Sequence, residues 1–87
     1  MKFYIKHSMT GRLRVHMDMK HMSFKQADIL EYYIKNIETV TSVKVYEKTC
    51  DAVIEFKGNK AQIINELKHF TYSQVAVPED VLNSSGR

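Results

Sequence analysis

Cysteine and proline each occur once in these 87 residues, glycine three times and tryptophan never. The lone Cys50 excludes a disulfide within the chain and any zinc cluster built on several thiolates. It fits a reducing, cytosolic setting. So little proline and glycine excludes a collagen-like or linker-like chain. No uninterrupted apolar run exceeds three residues, as in Ala52-Val53-Ile54 and Val75-Ala76-Val77, far short of the ~20 a membrane-spanning helix needs. The opening Met1-Lys2-Phe3-Tyr4-Ile5-Lys6-His7 is charged too early to hold a signal peptide's apolar region. Catalytic patterns are missing as well. There is no Ser-His-Asp or Cys-His arrangement, no glycine-rich phosphate loop and no paired-carboxylate motif.

What is there suits one small folded domain. Apolar residues make up 44% and charged residues 26% of the chain, too apolar for wholesale disorder. A chain of this size buries roughly 60% of its unfolded surface, enough for a core but not for a deep catalytic cleft. The net charge is +3 and uneven. Residues 1–25 carry six basic side chains against Asp18 alone, a local +5, while residues 26–87 carry seven basic and nine acidic, a local −2. The basic end either attracts phosphates or an acidic protein face, or is a solvated sheet edge whose Lys and Arg discourage aggregation.

Hydrophobic periodicity orders the chain. Phe3, Ile5 and His7 alternate with Tyr4, Lys6 and Ser8. After Met9-Thr10-Gly11, Leu13, Val15 and Met17 alternate with Arg12, Arg14 and His16. A period of two predicts strands with one buried face; Gly11 permits either a bend in one long strand or a hairpin. Ser23 and Gln26 form a capping-box signature ahead of Ala27, Leu30, Ile34 and Ile37, the apolar face of a first helix. Val40, Val43 and Val45, a polar turn over 47–51, and Ala52, Ile54 and Phe56 predict an antiparallel hairpin. Asn59 caps a second helix with Ile63, Leu67 and Phe70 inward. Gln74–Val77 reads as a last short strand stopped by Pro78. The order β-α-β-β-α-β predicts an α+β, ferredoxin-like sandwich: a four-stranded antiparallel sheet with two helices on one face. The domain is expected over residues 1–78, with a polar linker or tail over 79–87.

The stretch His16-Met17-Asp18-Met19-Lys20-His21-Met22 is dense in soft and borderline metal donors. Thioethers select Cu(I) and similar ions, imidazole suits Cu, Fe, Zn and Ni, and Met with His is an axial pair for haem iron. The competing reading is packing. Met17 continues the buried alternation, Met22 occupies a helix-stapling position, and methionine fills gaps in small cores. His7 falls on the inward parity of the first strand, where a lone histidine serves structure more often than ligation. His69, late in the second helix, complements its dipole. Cys50 reads as an exposed turn thiol with Lys48 nearby. Arg12 and Arg14 flank Leu13 beside Gly11. They either grip an anion bidentately (a phosphate, a haem propionate or a partner carboxylate) or stand in water on the outer sheet face.

The stretch His7-Ser8-Met9-Thr10-Gly11-Arg12-Leu13-Arg14 resembles the His-x-x-x-Gly-Arg-x-Arg opening of heavy-metal-associated-type domains that lack the cysteine pair. These domains stand at the N-termini of bacterial heavy-metal-translocating P-type ATPases. Residues 40–56 are similar to the group's Val-x-x-Val-x-Val, turn and strand pattern, and the resemblance runs over about residues 2–77. Members with Met-x-Cys-x-x-Cys in the first strand-to-helix loop bind Cu(I); this loop has no cysteine, so that thiolate chemistry does not carry over. The resemblance implies a non-catalytic, cytosolic domain at the membrane's inner face, fused to a transmembrane pump that hydrolyses ATP and moves metal ions. Its ligand would be a metal ion, iron or copper, or haem, held by His7, His16, Met17, Met19, His21 and Met22, with Arg12 and Arg14 on an anionic group. No nucleic-acid partner is implied, and an unpaired edge strand offers a route to a homodimer. Three alternatives share the fold class. An RNA-binding module would need the basic-glycine-aromatic signature, which the strand from Ala52 to Lys57 lacks. A purely docking or structural domain would need no ligand at all. A small acylphosphatase-type enzyme would need an anion-cradling loop that is not recognisable here.

Overall fold

The structure, a computed structural model, describes residues 1–75 and residue 77. The alternating segment at the N-terminus folds as two strands, β1 (Phe3–Met9) and β2 (Arg12–Met17). They are joined by the Thr10-Gly11 turn, with Met9 opposite Arg12. Gly11 takes φ +76°, the left-handed region that glycine enters without steric cost. A Cβ there would lie 3.4 Å from the Phe56 carbonyl oxygen. The Gly11 carbonyl in turn accepts from the Phe56 amide at 3.0 Å, so this turn is stitched to a strand from the far half of the chain.

Helix α1 (Phe24–Lys35) starts at the expected capping box. The Ser23 hydroxyl accepts from the Gln26 amide at 3.0 Å, and the Gln26 side chain accepts from the Ser23 amide at 2.9 Å. Two otherwise unpaired donors of the first turn are thereby satisfied. Strands β3 (Val40–Tyr46) and β4 (Asp51–Phe56) form the central hairpin, and Asn59 caps α2 (Lys60–His69) through the Ala61 amide at 2.8 Å. The sheet order is β1-β2-β4-β3, each neighbouring pair antiparallel. It follows that β2 and β3 run parallel, one strand apart, with α1 crossing between them. The fold is α+β and ferredoxin-like, four antiparallel strands with two helices.

One element differs from expectation. Tyr72–Gln74 form a single 3-10 turn, and among the described residues no strand follows it; Ala76 and the tail expected over 79–87 lie outside the described residues. The sheet position beside β2 is filled by β1 instead. With the Thr10-Gly11 turn closing a hairpin, β2 keeps no free edge to which a C-terminal strand could add.

Leu13, Val15 and Met17 from β2, Val45 from β3, and Ala52, Ile54 and Phe56 from β4 form the sheet's inner face. Against them pack Ala27, Leu30 and Ile34 of α1, Ile63 and Leu67 of α2, and Phe70. Tyr33 ties the helices together, its hydroxyl lying 3.0 Å from the Glu66 carbonyl oxygen and 2.9 Å from the Glu66 carboxylate. Burial first, then the Glu66 carboxylate, pushes the Tyr33 phenol up to about 12.

The positive φ at Gly11 predicts that Gly11→Ala lowers stability by about 1–2 kcal/mol, the cost of the left-handed region for an L-residue. Urea denaturation should show this as a lower midpoint with an unchanged m-value.

Candidate functional site: the open face of the sheet

Both helices cover the same side of the sheet, so every outward residue of the strands belongs to the other side. Strand pairing arranges these residues in three rows. The first is Tyr4, His16, Asp51 and Tyr46; the second His7, Arg14, Val53 and Lys44; the third Met9, Arg12, Glu55 and Ser42. A register shift between Ile5 and His7 leaves Lys6 without an opposite partner. Strict alternation places His7 inward. The bulge adds one residue, moves His7 opposite the outward Arg14 and leaves it exposed.

The centre of this face is Asp51, whose side chain is 0% exposed. Its Oδ2 accepts from Lys6 Nζ at 3.1 Å and from Arg14 Nε and Nη2 at 3.3 and 2.9 Å. Its Oδ1 lies 2.8 Å from His16 Nδ1. Burial alone would raise the Asp51 pKa; hydrogen bonds from His16, Arg14 and Lys6, with the charge of Lys6, outweigh it and bring the carboxyl down to about 2. An ionised carboxylate only accepts, so His16 must donate from Nδ1, which leaves Nε2 as its outward nitrogen. The Tyr4 ring stacks along the same imidazole, centroids 6.2 Å apart and planes 14° from parallel.

The residues singled out from the sequence separate into two groups. His7, Arg12, Arg14 and His16 share the open face. The rest of the methionine-histidine stretch divides between the core and the surface. Met17 and Met22 are core side chains at 0% and 1% exposure. Met19 is half-buried, with its sulfur 3.6 Å from the Tyr72 hydroxyl, and His21 is exposed. The β2 alternation and the packing ahead of α1 claim Met17 and Met22, and His16 points through the sheet to the other side. Among the described residues no three or more His, Cys, Asp or Glu side chains are grouped to hold a metal ion.

Cys50 departs from its reading as an exposed turn thiol. It is 4% exposed, with φ +59°, and its sulfur lies 3.8 Å from the Glu47 carbonyl oxygen. Burial, then the neighbouring Asp51 charge, pushes its pKa up, away from reactivity. His69 serves structure as expected, its Nδ1 lying 2.8 Å from the Asn65 carbonyl oxygen. Sequence reasoning missed Asp51 and Lys6 as parts of a site. The available signal was that the polar turn over 47–51 ends in an acid that opens a strand, while Arg14 and His16 stand on the outward parity of another.

Among the described residues no helix is long and apolar enough to cross a membrane. No family model, curated protein or solved structure matches the chain.

The Asp51 cluster predicts a pH dependence of definite sign. A carboxyl that titrates near 2 when folded and at its ordinary 3.8 when unfolded stabilises the fold fully above pH 4. That contribution, on the order of 2 kcal/mol, is lost as pH falls through 2. Unfolding free energies measured from pH 6 down to pH 2 should show this acid limb, and Asp51→Asn should remove it while lowering stability at neutral pH.

Proposed function

We propose that this chain is the cytosolic N-terminal domain of a metal-cation-transporting P-type ATPase, non-catalytic in itself, and that it regulates the pump by docking. The observation that carries the reading is the common placement of the motif His7-x-x-x-Gly11-Arg12-x-Arg14. Gly11 makes the hairpin turn, His7 and Arg14 are cross-strand partners, and Arg12 lies one row further on the same open face. Arranged this way, His7, Arg12 and Arg14 offer a docking partner one shared surface. ATP hydrolysis and the path of the metal ion, iron or copper, then belong to the remainder of the protein. The domain lies on the cytoplasmic side of the membrane. The sequence after Arg87 tests this directly. Membrane-length apolar segments and an Asp-Lys-Thr phosphorylation site are expected there, and a continuation without them overturns the reading. In the full-length pump, deletion of residues 1–78 should preserve ATP hydrolysis but change its rate or its dependence on metal concentration.

One observation favours a second reading, ligation of haem or a metal ion at His16. A carboxylate that holds one imidazole nitrogen while the other faces outward is the usual support of a metal-bound histidine, and Asp51 stands in that relation to His16. Arg12 and Arg14 on the same face suit an anionic group such as a propionate. Titration with haem, Fe(II) and Cu(I) distinguishes the readings. Ligation predicts a spectral change or a heat of binding at micromolar concentration that His16→Ala abolishes and Met19→Ala leaves intact; neither signal with any of the three leaves docking alone.

A further inference from the structure

We infer that the open face of the sheet docks an extended acidic protein segment lying along β2, with Arg12 and Arg14 as receptors for alternate carboxylates. The inference rests on the regulatory reading above and names the surface and the chemistry of its partner.

Among the described residues nothing covers this face, and it is positive. Lys6, Arg12, Arg14 and Lys44 stand on it against Asp51 and Glu55. The Asp51 charge is enclosed by Lys6, Arg14 and His16 and has no exposed surface. What an approaching molecule meets is therefore the outer side of those three donors, not the carboxylate between them. Charge complementarity selects an acidic partner.

The receptors differ in a useful way. Arg14 is clamped through Nε and Nη2 to a buried anchor yet keeps 44% of its side chain exposed, so its Nη1 is presented from a fixed guanidinium. Part of the entropy cost of binding is thereby met in advance. Arg12 is exposed and makes no hydrogen bond or ion pair with the described residues. The two arginines are alternate residues of one strand, roughly 7 Å apart along it. Alternate side chains of an extended peptide have the same spacing, so acids at positions i and i+2 match both. Tyr4, 58% exposed, and Tyr46, 39% exposed, stand at opposite ends of the first row. Tyrosine and arginine together are the residue types in which binding energy concentrates at protein interfaces.

A single-stranded nucleic acid fits less well. The two tyrosines stand on the outer strands β1 and β3, one stacked on His16 and the other with Lys44 Nζ 5.4 Å from its ring centroid. They form no continuous stacking platform across the central strands.

The test uses the whole 87-residue chain and three probes: a ten-residue peptide of alternating Glu and Thr, the same peptide with Lys for Glu, and decauridylate. Amide NMR shifts should move at β2 and β4 on adding the Glu peptide, and not the Lys peptide. Added salt should weaken the binding. Arg12→Ala should weaken it about tenfold without altering the rest of the spectrum, and Arg12→Lys should restore it only partly, because lysine lacks the bidentate fork. No shift at the sheet with the Glu peptide, an unchanged affinity in Arg12→Ala, or tighter binding of decauridylate overturns the inference. If deletion of residues 1–78 alters the full-length pump but Arg12→Ala does not, this surface is excluded while the regulatory reading stands.

Discussion

A carboxylate without exposed surface must be met by a donor at every direction in which it accepts, or remain a protonated acid. Asp51 is met by Lys6 from β1 and by Arg14 and His16 from β2, while its own backbone opens β4. One ion thus joins three strands at one end of the sheet. A buried charge of this kind stabilises less than its Coulomb attraction suggests, because all partners are partly desolvated. Its effect on geometry is larger. It fixes the side chains of an arginine, a lysine and a histidine that would otherwise sweep through solvent, and gives a flat surface a defined chemical pattern.

The two sides of the sheet therefore do different work. Inward positions of β2, β3 and β4 are aliphatic, methionine or phenylalanine and close on the helices. Outward positions carry the charges, the tyrosines and the motif. The donor-rich stretch that begins at the end of β2 straddles this division. Met17 and Met22 belong to the inner layer, His16 to the outer and His21 to solvent. His16 and Met17, adjacent in sequence, are thus placed on opposite sides of the sheet.

Most of the fold was legible because it is written in short-range patterns. The Ser23–Gln26 box, the Ala27-Leu30-Ile34 stripe and the β3–β4 hairpin need only neighbouring residues to be recognised. The origin of the edge strand was not legible in that way. Gly11 allowed a bend or a hairpin, and the choice is made by pairing with β4 through Phe56, 45 positions along the chain. The His7 parity failed for a related reason, since a bulge leaves no mark in an alternation that reads equally well without it. A polar turn over 47–51 does not announce that its last two residues are buried. Cys50 joins the hydrophobic core, and Asp51 is covered by Lys6, Arg14 and His16 arriving from the other half of the sheet. Local composition contains no trace of that meeting.

The bulge at Lys6 bears on how copies of this protein treat one another. A flat outermost strand offers a ladder of unused amides and carbonyls to any similar strand. Here that ladder is broken in the middle of β1 by an extra residue, and the interruption carries a cation already committed to the sheet's interior anchor. A second molecule seeking to extend the sheet from this side would meet a kink where it needs a straight rail. The bulge thus interrupts the outer ladder of β1 at its midpoint.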